Sequence, residues 1–302
     1  MTGNDIRAVF EAAGCEGALC VLEVGGEGEV ALDAEAPVVA ASVSKVQIAL
    51  EVETWFAEGR LDPRERVVLR AGERTDGPTG LSLLADDVEL SLRDLVVLML
   101  TVSDNPATDE LLRRVGTASV NATAERLGLA GTVLGSDLRT MLDTVGEDLG
   151  RADWADLQRW SPTATPLQHA EADRLLLASR TLDPARSPLR TTPRDMARLL
   201  ALIWTDRAGP PAACARVRSV MARQLTRHRL GSAFRPPTRV AAKSGSLFGI
   251  VRNEAGVVTL PDGRHYAAAV FTRSAPGADD AAISTAIGTA AALAVATLAG
   301  SG

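Results

Sequence analysis

The chain has 302 residues, 46 % of them hydrophobic, enough to bury one large core or two smaller ones, and this excludes a disordered chain. Its net charge of −6, with basic residues scattered among acids, sets aside nucleic acid as a partner, because no cationic run is available to neutralise a row of phosphates. The first 25 residues carry Asp5, Glu11, Glu16 and Glu23 where an export signal needs a basic and then an apolar stretch, so a cytoplasmic protein is expected.

In chain order, residues 5–13 read as a helix, and 17–24 and 29–32 read as strands joined by a glycine-rich turn at 25–28. Helical spacing begins at Ser42 and runs to Glu58, with Gly59 as the stop. Further helices are predicted at about 91–102, 106–115 and 117–127. The periodicity weakens between Leu129 and Arg190, where Pro162, Pro166, Pro184 and Pro188 suggest a loop-rich insertion at about 130–190. Helices return at about 193–204, opened by Thr192-Pro193, and at about 212–227. Strands are predicted at 239–244, 254–260 and 265–272, the last two joined by Pro261-Asp262-Gly263. The apolar tract at 281–299 is interrupted by Ser284, Thr285, Gly288, Thr289 and Thr297, and reads as a packed terminal helix with no membrane role.

Strands therefore lie at both chain ends and helices between them. The economical fold is α+β: an antiparallel sheet built from 1–37 and 229–302, flanked by helices, with an all-helical domain at 38–228 inserted.

Cys15, Cys20 and Cys214 are an odd number and read as reduced structural thiols. His169, His228 and His265 lie far apart, and no spacing suited to zinc occurs, so no metal or other cofactor is expected. Of 32 basic residues only Lys45 and Lys243 are lysines. Arginine keeps its proton in proteins whereas a lysine amine can be depressed and act as a base, so these two positions are candidates for chemistry that needs an amine.

Ser42 and Lys45 stand three apart at a predicted helix start and share a face. A serine hydroxyl becomes a nucleophile when a neighbouring base takes its proton, and an uncharged lysine can do so. The N–H of Ser42 at the helix start is available to an oxyanion. Ser103-Asp104-Asn105 follows at a helix junction, where Ser103 or Asn105 could equally cap a helix, and Lys243-Ser244-Gly245-Ser246 ends a predicted strand.

In this order and spacing the three motifs resemble those of the penicillin-recognising serine enzymes, class A β-lactamases in particular. The resemblance implies the β-lactamase/transpeptidase-like fold and an acyl-enzyme reaction on a β-lactam or a related amide or ester. By that resemblance Ser42 is the nucleophile, Lys45 its base or proton relay, and Ser103 the group that passes a proton to the leaving nitrogen. Asn105 holds the lysine and a substrate amide. Lys243 lends the positive field that depresses Lys45 and, with Ser244, meets a substrate carboxylate. Gly245 admits the substrate closely, the N–H groups of Ser42 and Ser246 form the oxyanion hole, and Arg252 is a further candidate for the carboxylate. The implied partner is a small molecule bearing a carboxylate.

The chain departs from the family pattern at one point. A Glu-x-x-Leu-Asn stretch, whose glutamate activates the deacylating water, is expected near Arg139-Thr140-Met141 and does not occur. Glu147, Asp148 and Glu171 are the acids of the insertion that could replace it. The class C Tyr-x-Asn variant is excluded because the sole tyrosine, Tyr266, precedes Ala267-Ala268, and no Gly-x-Ser-x-Gly elbow is present. The expectation is a serine acyl hydrolase that releases ordinary penicillins slowly. Two alternatives are an acyltransferase or esterase on a specialised metabolite, and a β-lactam-binding sensor that does not turn over.

Overall fold

The computed structural model describes residues 3–300. Helix α1 (Gly3–Ala12) leads into strands β1 (Cys15–Glu23), β2 (Glu29–Leu32) and β3 (Val38–Val39) and then helix α2 (Lys45–Ala57). Strands β4 (Arg66–Leu69) and β5 (Val88–Ser91) precede α3 (Leu92–Thr101), α4 (Asn105–Val115) and α5 (Thr117–Arg126). After β6 (Val133–Leu134) come α6 (Leu138–Asp148), α7 (Trp154–Trp160) and α8 (Pro166–Leu177). Strand β7 (Leu189–Thr191) is followed by α9 (Pro193–Trp204) and α10 (Pro211–Met221). The chain closes with β8 (Arg239–Leu247), β9 (Val251–Thr259), β10 (His265–Ser274) and α11 (Asp280–Ala299).

The main sheet has five strands in the order β2-β1-β10-β9-β8, all antiparallel and all drawn from the two ends of the chain. Successive side chains of a strand face opposite ways, and both faces are covered. Leu19, Val21, Tyr266, Ala268 and Val270 pack with Ile6 and Phe10 of α1 and Ile283 and Ile287 of α11. Their neighbours Cys20, Ala267, Ala269 and Phe271 face the other way and join an apolar cluster with Met196 and Leu200 of α9. That cluster continues without a break into Val46, Leu50, Leu95, Met99 and Leu111, so the helical segment and the sheet share one core. The α+β class read from the sequence is the class observed. Smaller sheets, β3-β7-β6 and β4-β5, are too short to leave an alternating pattern.

The 130–190 segment differs from its loop-rich reading, because it forms α6, α7 and α8. Each has a capped start: Asp137 accepts from Thr140 N, Asp153 from Asp156 N, and Thr165 forms a capping box with Gln168 ahead of Pro166. No residue of α8 is buried and α7 has only 7 residues, so neither shows the apolar stripe by which helices are read. Helix α10 ends at Met221, earlier than expected, and the chain beyond it lays Gln224 against β8 and β9.

Helix α2 is buried on every side from Lys45 to Glu53. Glu51 is satisfied there by Trp55 Nε1 and Thr123 Oγ1, both at 2.7 Å. Glu53, 6 % exposed, is not: its Oε1 accepts no hydrogen bond and the nearest charge is Arg216 Nε at 3.6 Å. Burial outweighs Arg216 and pushes the Glu53 carboxyl up to about 7. A carboxyl whose folded value is raised holds its proton more tightly in the native state, so its contribution is full below about 4.5, is lost as pH rises toward 7, and is flat above. Glu53→Gln is expected to stabilise the protein at pH 8, by about 1–3 kcal/mol, and to change little at pH 4. Thermal unfolding at the two pH values checks this, and an equal change at both contradicts it.

Candidate active site

The segment before Ser42 is held from two sides. Ala40 N donates to Leu189 O at 2.8 Å, and the buried Asn253 side chain donates to Val39 O at 2.8 Å and Ala40 O at 3.3 Å. Ala41 follows with φ of 48°, a left-handed conformation that a non-glycine residue adopts at a cost. Residues Ala41–Ser44 then make a turn of 3₁₀ helix, so Ser42 lies one turn ahead of α2 rather than inside it. A three-residue spacing keeps Ser42 and Lys45 on one side in either helix type. Ser42 opens onto a cleft, whereas Ser44 is buried and spends its hydroxyl on Ala41 O at 2.8 Å.

Lys45, 0 % exposed, donates to Ser103 O at 2.6 Å, Asn105 Oδ1 at 2.8 Å and Ser103 Oγ at 3.3 Å. No carboxylate touches it. Burial takes its amine down to about 7, and the more distant Asp104 and Asp109 only partly oppose this. The site therefore contains an amine that exchanges between its charged and uncharged forms around neutral pH.

The helix junction of the Ser-Asp-Asn motif is capped by its middle residue, not by Ser103 or Asn105. Asp104 Oδ1 accepts from Ala107 N at 2.7 Å at the start of α4, and Oδ2 accepts from Leu81 N at 2.5 Å. This frees its neighbours to face the cleft. Ser103 adopts φ of 62°, which places both its carbonyl and its hydroxyl toward Lys45. Asn105 spans the site, accepting from Lys45 and donating from Nδ2 to Asp76 O at 2.8 Å.

Strand β8 forms the facing wall, with Lys243, Ser244 and Ser246 on the cleft. Gly245 fits because a Cβ there would stand 3.1 Å from Ala40 O, Ser42 N and Val43 N, so a larger residue would press on the nucleophile turn. Lys243, 0 % exposed, donates to Ser244 O at 2.6 Å. Burial and then the Lys45 charge hold its amine well below the ordinary lysine range. Burial is the first cause of the depression in both lysines, and charge on either amine opposes charge on the other.

Arg252 is also corrected. In the β8–β9 register it pairs with Ser246, but its side chain runs to Asp280 at the start of α11 and to Ser274 Oγ at 3.0 Å, and it does not line the cleft. Another arginine serves this wall from behind. Arg229, buried, donates to Gly245 O at 2.8 Å, Asn253 O at 2.7 Å and Ser246 Oγ at 2.6 Å. Gln224 locks the same strand by accepting from Ser244 N and donating to the buried Glu254 at 2.8 Å. Arg229, Gln224, Asn253 and Glu254 carry no motif, and only their rarity as buried polar residues marks them.

The cleft has a volume of about 540 Å³. The wall formed by the 138–154 segment, β7 and the β8–β9 turn is apolar, with Leu138, Met141, Leu142, Trp154, Leu189, Leu247 and Phe248, and the 76–79 loop lines the cleft beside it. Near the 139–141 position where the family pattern puts the deacylating glutamate, Leu138 and Arg139 hold the start of α6 onto Asp109 through their backbone N–H groups at 2.8 and 3.0 Å. None of the three replacement acids reaches the cleft. Glu147 and Asp148 pair with Arg180, and Glu171 pairs with Arg174 on the exposed α8. Among the described residues no cluster suited to a metal ion occurs, and the three cysteines are free and buried.

Comparison with known proteins finds relatives over nearly the whole chain. The model of the Beta-lactamase enzyme family matches residues 2–298. The Beta-lactamase regulatory protein BlaB of Streptomyces cacaoi is 29 % identical over 294 residues, covering 91 % of this chain and 90 % of that one. A β-lactamase from Sphaerobacter thermophilus superposes with a TM-score of 0.77 at 26 % identity, over 98 % of this chain and 97 % of its own. PBP-A is similar in fold, with a TM-score of 0.74 at 21 % identity over 98 % and 96 % of the two chains.

Proposed function

The chain belongs to the β-lactamase enzyme family, and from that premise we propose that it is a serine acyl hydrolase that forms a covalent ester on Ser42 and hydrolyses it slowly. One observation carries the reading: a fully buried Lys45, its amine depressed to about 7, is bonded to Ser103 and Asn105, which line the cleft with Ser42, and the apolar wall of that cleft formed by the 138–154 segment holds no carboxylate.

In this reaction Lys45 takes the proton of Ser42 Oγ, and Oγ adds to the amide or ester carbonyl. The N–H groups of Ser42 and Ser246 hold the oxyanion. As the tetrahedral centre collapses, Ser103 gives a proton to the leaving nitrogen and recovers it from Lys45, so the C–N bond breaks and the acyl group stays on Ser42. The substrate carboxylate is received by Ser244 and Ser246 on β8, with the Lys243 amine as a nearby donor and Arg229 holding the Ser246 hydroxyl in place. Asn105 keeps one amide N–H for the acyl side chain.

Deacylation needs water and a base. Apolar side chains occupy the wall against the ester, so attack on it lacks the general-base assistance that is typically worth about 10²–10⁴-fold. Intact-mass spectrometry during incubation with a penicillin is the test. A one-to-one adduct on Ser42 that outlasts the first turnover by minutes supports the reading, and rapid loss of the penicillin with unmodified protein throughout contradicts it.

The same wall favours a second reading, supported by the name of the Streptomyces cacaoi relative: the long-lived adduct is itself the output, as in a regulatory protein. An adduct that persists without measurable hydrolysis distinguishes this reading from slow turnover.

A further inference from the structure

One carboxylate does face the cleft, and the reaction above does not use it. Asp76 lies in the loop after β4, its backbone carbonyl bonded to Asn105. Its side chain is exposed yet fixed by neutral donors alone: Gly77 N at 2.8 Å on Oδ1, and Trp154 Nε1 at 2.8 Å and Gln158 Nε2 at 3.2 Å on Oδ2. Among the described residues no cation pairs with it. The arginines that share the adjoining groove are engaged elsewhere: Arg74 on Leu69 O and Leu81 O, Arg139 on Glu73 O, and Arg159 on Asp156. Beside this anion stand two aromatic rings from different elements, Trp154 and Phe248, with centroids 6.0 Å apart.

A fixed anion without a counter-ion, set beside aromatic rings, is the chemistry that recognises an organic ammonium. We propose that Asp76, Trp154 and Phe248 form a specificity site for a protonated amine next to an aryl or alkyl group on the acyl portion of the substrate. The preferred substrate class is then zwitterionic, with a carboxylate toward β8 and an aminoacyl group toward the Asp76 loop. This rests on the acylation of Ser42 proposed above. Asp76 takes no part in proton transfer. It selects which acyl group is presented to Ser42.

The test uses two penams that differ only at the α-carbon of an arylacetyl side chain, one bearing an ammonium and the other a hydrogen. The readout is the ratio of their second-order rates of Ser42 acylation. One partly exposed ion pair with an aromatic contact predicts a ratio of about 5–30 in favour of the ammonium compound in the wild-type protein. The ratio is expected to fall toward about one in Asp76→Asn, and to shrink in the wild type as salt is raised, because an exposed pair is screened. A wild-type ratio near one, a ratio unchanged in Asp76→Asn, or a ratio indifferent to salt overturns the inference and leaves the acylation reading standing. If neither penam labels Ser42, the acylation reading fails and this inference with it.

Discussion

Lys45→Arg is expected to lower the rate of Ser42 acylation by about 10²–10⁴-fold, the range typical of losing general acid–base help. The reason is chemical. The lysine amine sits at about 7 because it is buried among neutral acceptors, whereas a guanidinium keeps its proton under any such pressure. The same property gives the pH dependence its sign: a base works when unprotonated, so acylation by the wild type rises with pH through about 7 and levels above it. Stopped-flow acylation between pH 5.5 and 8.5, with thermal unfolding to verify that the variant is folded, checks both statements. Near-normal acylation in Lys45→Arg would remove the amine from the mechanism.

Ser42→Ala is expected to abolish covalent labelling, while Ser44→Ala keeps it. The two hydroxyls are two residues apart and their surroundings decide between them. Ser42 opens on the cleft and Ser44 is buried, bonded back to Ala41 O. Peptide mapping of the adduct reads the outcome, and labelling that survives in Ser42→Ala but vanishes in Ser44→Ala reverses the assignment.

The parts of this site that were legible in the sequence are those whose meaning lies in spacing. Ser42 to Lys45, Ser103 to Asn105 and Lys243 to Ser246 are short runs at helix starts or on a strand, and the fold brings residues of all three to one cleft. The α+β class was legible because α9 carries a clear helical period, while β10 and α11 are long apolar runs bounded by turn residues. What a side chain faces across a strand was not legible. Arg252 follows the Lys-Ser-Gly run closely in sequence, yet the local register and Asp280 take its guanidinium to α11. Arg229 was missed for the converse reason, because it lies in the irregular stretch between α10 and β8, where no period reveals what it supports. Helix α8 was hidden by Pro166, which starts the helix rather than breaks it, and α7 by its length of only 7 residues. Asp76 and Trp154 come from segments 78 residues apart, and their meeting at 2.8 Å depends on tertiary packing alone.

The account's central claim is that acylation of Ser42 outruns release. Mixing the protein with a chromogenic penicillin in a rapid-quench instrument, and following product and intact mass in the same samples, measures both steps. The account predicts a burst of one equivalent of opened lactam, a matching mass adduct on Ser42, and a much slower linear phase. Linear product formation from the first turnover, at hundreds per second and with no adduct, would contradict it.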